Sequence, residues 1–243
     1  MNFRLRYFSR HFFLSCLLAL ITLVVVFVFW YPSPLASATG VTSVFLILLG
    51  VDVALGPLLT FLVAKEGKKS LRFDLAVIVV LQLAAFLYGM SVVAAGRPVW
   101  IVFSKDRFDL VQAYEIEQKN IEQAEAQFQQ PGWFGPKWIA ARLPTDTDEL
   151  NDLMFESVAG GADLPYRPEL YVEYQSEIEA IEARSFPLAE LSKVNPENEV
   201  QQVLARWPEA TAYLPLMARK QEMTVLINKK SGKVITIVSL KPW

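Results

Sequence analysis

Asp52 is the residue whose chemistry stands out: a lone carboxylate inside an apolar run spanning 41–64. A carboxylate at bilayer depth costs about 2.5–3.5 kcal/mol on insertion scales unless it is paired, protonated or hydrated. Two uses would justify it. One is a polar contact to a neighbouring helix, either a partner's or, structurally, Gln82 in the following apolar run. The other is a proton or ion site, which makes a small coupled transport component centred on Asp52 an alternative. Gly56 and Pro57 lie one turn beyond and are expected to open the helix, freeing carbonyls near Asp52. A single intramembrane charge without a second one is a thin basis for transport, so helix contact is the preferred expectation.

Other chemistry is sparse. His11 is the only histidine and Cys16 the only cysteine, both in or beside the first apolar run. The polar half therefore lacks the residues for Ser-His-Asp or Cys-His catalysis and for ordinary zinc sites. It also has no glycine-rich phosphate loop or dinucleotide fingerprint. Asp146, Asp148 and Glu149 imitate a calcium loop but lack its central glycine and late glutamate, so a helix start is expected there. No catalytic, metal or cofactor-binding residue is assigned, and a non-enzyme is expected. Paired-carboxylate chemistry leaves a membrane-anchored periplasmic enzyme as a second alternative.

The elements that must position Asp52 are three apolar runs at about 12–30, 41–64 and 75–95, each long enough to cross about 30 Å of hydrocarbon as a helix. Trp30 and Tyr31 close the first as an interfacial belt, and Pro32 and Pro34 stop it. Residues 1–96 carry Arg4, Arg6, Arg10, Lys65, Lys68, Lys69 and Arg72 against Asp52, Glu66 and Asp74, a net charge of +4. Residues 97–243 hold 16 basic and 22 acidic residues, a net of −6, which argues against nucleic acid as a partner. The division predicts a membrane domain over 1–96 and a second domain over 97–243. The basic N-terminus and the cytoplasmic basic loop of Lys65, Lys68, Lys69 and Arg72 flank an uncharged loop at 32–40. By the positive-inside rule, the N-terminus is cytoplasmic and the acidic half lies outside. Ala36-Ser37-Ala38 imitates a signal cleavage site, but the long apolar stretch before it suits a retained anchor. Ala85 and Gly89 form a small-residue pair for helix packing on the third run.

In the acidic half, residues 99–111 predict a strand pair and 223–240 a terminal hairpin around Gly232. Residues 114–129 predict an exposed amphipathic helix with Ile121, Ala124 and Phe128 inward. A short strand is expected from Trp138, helices after Asp146 and after Asn195-Pro196, and weaker elements near 171–174 and 177–184. Trp133, Phe134 and Trp138 are expected to be core aromatics rather than an exposed patch. The fold class is thus a membrane protein: three N-terminal transmembrane α-helices followed by a C-terminal α+β periplasmic domain.

The segment Leu48-Leu49-Gly50-Val51-Asp52-Val53-Ala54-Leu55-Gly56-Pro57, followed by Gly67-Lys68-Lys69-Ser70-Leu71-Arg72-Phe73-Asp74, resembles the type IV pilin accessory proteins of the TfpX/TfpZ family. Trp30-Tyr31-Pro32 and the stretch from Arg97-Pro98 to Phe108 add to the likeness, which is dense over about 5–115. The resemblance implies a bacterial inner-membrane, multi-pass factor that helps a cognate type IV major pilin assemble into surface pili. It implies no cofactor and no reaction. Beyond lipid and pilin it specifies no partner, and the oligomeric state stays open.

Overall fold

The computed structural model describes residues 2–243, which fall into two units. The first comprises residues up to Ala36 with Gly40–Gly96; the second comprises Ser37–Thr39 with Arg97–Trp243.

Among the described residues of the first unit, three helices are long and apolar enough to cross a membrane: Phe3–Trp30, Val41–Val63 and Leu71–Ala95. The first starts earlier than the apolar run alone suggests, so Arg4, Arg6, Arg10 and His11 are helical. It widens from α to π geometry over Val25–Trp30, where the Tyr31 N–H reaches back five residues to Val26 O at 2.7 Å. The Tyr31 hydroxyl then donates to Val93 O at 2.7 Å, fastening the end of the first span to the end of the third. Val26, Tyr31, Val41, Phe45 and Val93 form the buried seam there. Outward positions such as Phe13, Leu46, Ile47, Leu81 and Leu87 stay exposed and apolar, as a lipid-facing surface requires.

The second unit is built on one mixed sheet. β1 (Pro98–Ser104) and β2 (Arg107–Gln112) form the expected antiparallel hairpin, turned by Lys105 at φ 60°. β3 (Lys137–Ala141) runs parallel to β1, and β4 (Tyr171–Glu173) antiparallel to β3. β5 (Phe186–Pro187) and β7 (Met223–Asn228) both pair antiparallel with β6 (Ala212–Met217). β8 (Lys233–Val238) closes the order β4-β3-β1-β2-β6-β7-β8, with β5 on β6. β1 is buried along its whole length, which is why its sequence is continuously apolar rather than alternating. Trp100 anchors one core with its ring tilted against Phe128 at 6.0 Å and Tyr171 at 6.1 Å. A second core gathers Leu191, Val200, Tyr213, Leu226 and Leu240.

Several expectations need correction. No continuous helix forms over 114–129; short 3-10 turns at Ala113–Glu115 and Ile121–Gln123 and a single turn at Ala126–Gln129 replace it. Ala124 and Phe128 do enter the core, but the local N–H groups find other acceptors. The Glu117 N–H donates to Tyr166 O, and the Gln118 and Lys119 N–H groups donate to Glu117 Oε1. Tertiary packing and side-chain acceptors thereby outcompete the helical register. Asp146 caps Thr147–Val158 as expected, its Oδ1 accepting from Asp148 N at 2.9 Å and Glu149 N at 3.1 Å. Asn195 does not cap the Glu197–Leu204 helix. It pins the C-terminal tail, accepting from Lys241 N at 2.9 Å and donating to Lys241 O at 2.8 Å. Central strand β6 was not anticipated, and it contains Pro215, which has no N–H to give a ladder. On its β2 and β5 side, Pro215 falls between the Tyr213 and Leu216 pairings, where no ladder partner is present. Trp138 packs edge-on to Phe108 at 5.1 Å, whereas Trp133 and Phe134 are exposed rather than core.

Glu156 near the end of the Thr147–Val158 helix is bonded by Lys119 Nζ at 2.6 Å and by the buried Arg167 guanidinium. Those cations hold its carboxyl at about 2, below the ordinary value of 4.5. A depressed folded-state pKa means the pair stabilises above the ordinary range and loses that contribution as pH falls through it toward 2. Glu156→Gln is expected to unfold at lower temperature than wild type at pH 7. The difference should close between about pH 4.5 and 2 when melting is followed by tryptophan fluorescence.

Candidate functional site

The site grows out of one backbone irregularity. The second span is α-helical over Val41–Leu49, π-helical over Gly50–Leu55 and α-helical again from Gly56. In the π segment the Gly56 N–H donates to Val51 O, five residues back. The next donor in that register would be residue 57 reaching Asp52 O, but Pro57 has no N–H. The Asp52 carbonyl is thus left over inside an apolar span, where an unsatisfied backbone group costs several kcal/mol.

Gln82 of the third span satisfies it, its Nε2 donating to Asp52 O at 3.0 Å and to Ser15 Oγ at 3.2 Å. Because a carbonyl only accepts, the amide nitrogen must face Asp52, which turns Gln82 Oε1 toward the first span. There His11 Nε2 lies 2.9 Å away and donates to it, while His11 Nδ1 shares a hydrogen bond with Thr60 Oγ1 at 2.6 Å. Thr60, His11, Gln82, Ser15 and the Asp52 backbone form one polar chain through all three spans. Ser15, Asp52 and Thr60 are 4%, 3% and 2% exposed.

The two glycines set the approach distances. A Cβ at Gly56 would meet the Gln82 amide, its Oε1 nearest and its Cδ at 2.6 Å, so a larger residue there would displace that amide from its hydrogen bonds. Of the Gly56-Pro57 pair expected to open the helix near Asp52, Pro57 and the π turn leave the carbonyl over, and Gly56 leaves room beside it for the Gln82 amide. A Cβ at Gly89 would lie 2.6 Å from Leu48 Cδ1, so that small residue serves close packing of the second and third spans.

The Asp52 carboxylate is what remains. Gln82 holds the Asp52 main chain, and neither carboxylate oxygen has a hydrogen-bond partner among the described residues. Asp52 contributes to the walls of two grooves in this unit. One, of about 340 Å³, runs past Ile47, Leu48, Ala85, Phe86, Tyr88 and Gly89. The other, of about 160 Å³, runs past His11, Ser15, Gln82 and Phe86.

The sequence expectation therefore places Asp52, Gly56, Pro57 and Gln82 in one locus, with Ala85 and Gly89 along the adjoining groove. Lys65, Lys68, Lys69 and Arg72 take no part in the network; Lys68 Nζ instead pairs with Asp74 Oδ2 at 2.8 Å. Sequence reasoning missed His11, Ser15 and Thr60. The signal was present: 11 and 15 share a helix face, as do 52, 56 and 60.

Three apolar helices tied by a buried polar chain, continued by an α+β unit, define a multi-span membrane protein with a globular C-terminal domain. The family model described as fimbrial assembly protein FimB matches residues 1–40. Two fimbrial assembly proteins of Dichelobacter nodosus match nearly the whole chain. The one of serogroup E1 is 32% identical over 239 residues, covering 95% of this chain and 92% of its own length. The one of serogroup I is 32% identical over 238 residues with the same coverage. A third, of serogroups C1 and C2, is 35% identical over 116 residues, 47% of this chain. The chain belongs to the fimbrial assembly protein family. The resemblance to type IV pilin accessory proteins is borne out by that membership. No solved structure matches it.

Gly56→Val is expected to destabilise the solubilised protein by about 1–3 kcal/mol through overpacking against Gln82. In a thermal-shift comparison, Gly56→Val combined with Gln82→Ala should be no less stable than Gln82→Ala alone. Additive losses would show that the two side chains do not compete for the same space.

Proposed function

We propose that this chain serves type IV pilus assembly by holding a cognate major pilin subunit in the inner membrane before polymerisation. The assembly role comes with the family. The identity of the subunit and the manner of holding it are inferred from the site. In this reading the chain is non-catalytic and needs no cofactor. Its amino terminus and the loop of Lys65, Lys68, Lys69 and Arg72 face the cytoplasm, and the α+β unit stands in the periplasm; the basic flanks support that orientation.

The observation that carries the reading is the buried Asp52 carboxylate without a partner, at the edge of a groove floored by Ala85 and Gly89. A groove with small residues lets another helix approach closely, and a carboxylate in hydrocarbon favours a partner that brings a hydrogen-bond donor or a cation. A pilin subunit offers an apolar helix in the membrane and a globular head outside it. The membrane unit would take the helix and the α+β unit would select the head.

A photo-crosslinking residue at Ile47 or Tyr88 is expected to capture pilin in cells. Deleting the gene should reduce surface pili while pilin abundance is unchanged. Asp52→Asn should weaken capture roughly threefold to thirtyfold, the equivalent of about 0.6–2 kcal/mol for an interhelical polar contact. Full capture by Asp52→Asn would remove the carboxylate from the recognition, and normal piliation in the deletion strain would overturn the function.

A further inference from the structure

The α+β unit contains a cavity of about 500 Å³ lined by the Thr147–Val158 helix and the 3-10 turn Pro168–Leu170, among other segments. That volume is in the range of small-ligand sites. Four carboxylates line it, Glu149, Asp152, Glu156 and Glu169, against two cations, Lys119 and Arg167. Residues 149, 152 and 156 share one helical face with Leu153, whose burial in the core fixes the direction of that face. Both cations are engaged by Glu156, which Lys119 Nζ bonds at 2.6 Å and the Arg167 guanidinium also bonds. Arg167 Nε is occupied as well, donating to Ala162 O at 2.9 Å. Among the described residues Glu149 and Asp152, at the exposed rim, stand in no ion pair.

Glu169 is the buried member of the set, its side chain only 9% exposed. Its Oε1 accepts from Asn120 Nδ2 at 3.4 Å and lies 3.8 Å from Arg167 Nη1, beyond hydrogen-bond reach. Its Oε2 is buried with no hydrogen-bond partner among the described residues. A carboxylate oxygen in that position bears its desolvation cost without a donor to offset it. The uncompensated charge is thus negative at both the rim and the buried end. Among the described residues no three acidic groups gather as metal ligands, so a compact ion is not what the arrangement suits. A cation that spreads several N–H donors suits it better: an ammonium has three and a guanidinium five. Pro144, Leu153 and Leu170 in the wall offer apolar surface to an alkyl stem. We propose that this cavity binds an alkylammonium or alkylguanidinium group, with Glu169 Oε2 accepting its N–H and Glu149 and Asp152 drawing it in at the rim. The group belongs either to a diffusible amine or to a lysine or arginine of another protein; the chemistry is shared. This inference stands on the charge and burial of the cavity, independently of the pilin reading.

The test titrates the full chain in phosphatidylcholine nanodiscs by calorimetry at low salt. The probes are putrescine and agmatine as free amines, and N-acetyl-lysine amide and N-acetyl-arginine amide as side-chain surrogates. N-acetyl-norleucine amide is the uncharged control. At least one cation should bind saturably at one site with a Kd at or below about 1 mM, and the control should not bind. Tighter binding of the free amines would identify a diffusible ligand, and tighter binding of the amides a protein side chain. Glu169→Gln keeps the volume and the Asn120 contact but removes the charge, and should weaken binding by about tenfold or more. Glu149→Gln with Asp152→Asn should weaken it several-fold at low salt and less at high salt. Absence of saturable binding by every cation would overturn the proposal, leaving a cavity that holds water only. Unchanged affinity in Glu169→Gln with an unchanged melting temperature would overturn it as well. Should that variant fail to fold, unchanged affinity in the exposed rim variant would have the same consequence.

Discussion

Hydrocarbon offers no water to a stranded peptide carbonyl, and the first unit is organised around that constraint. Pro57 removes the donor that the π-helical register assigns to Asp52 O, and Gln82 from another span supplies it. The amide occupies space that a Cβ at residue 56 would take. Once Gln82 is oriented by the carbonyl, its oxygen dictates where His11 must donate, and His11 in turn engages Thr60. One missing N–H thus sets the mutual register of three helices whose outer faces, being uniformly apolar, carry little register information of their own.

The same arrangement separates the two halves of Asp52. Its main chain is structural and bound; its carboxylate is left over beside a groove shaped by small residues. Such a division suits an accessory protein. The carboxylate oxygens have no hydrogen-bond partner among the described residues, which is what the proposed recognition of an incoming helix rests on. The family to which the chain belongs gives that opening a biological setting in fimbrial assembly.

Legibility differed between the two units for physical reasons. The spans were readable because length and apolarity suffice to specify a candidate membrane helix; three such helices form, the first beginning at Phe3, ahead of the expected apolar run at 12–30. In the second unit, elements with local signals formed as expected: the β1–β2 hairpin, the Asp146 cap and the terminal β7–β8 hairpin. Elements settled by distant partners did not. Residues 114–129 have helical spacing, yet Tyr166 and the Glu117 side chain take the N–H groups a helix would use. β6 carries Pro215, tolerated because it falls in a gap between the β5 and β2 pairings that no local pattern announces. Trp133 and Phe134 look like core residues by type, and only the packing leaves them outside.

Composition and periodicity alone determined that the chain has three membrane-crossing helices, an acidic α+β portion and one costly carboxylate at Asp52. Those properties are sums over short segments, and the solvent acts on each segment separately. Tertiary structure alone decided that Gln82 serves the Asp52 backbone rather than its side chain, that His11, Ser15 and Thr60 belong to the same network, and that Gly56 exists for the amide's sake. Hydrogen bonds between helices depend on relative rotation and approach to within an ångström, and for residues 30 to 71 positions apart a shared helix face is legible in the sequence but the pairing between faces is not.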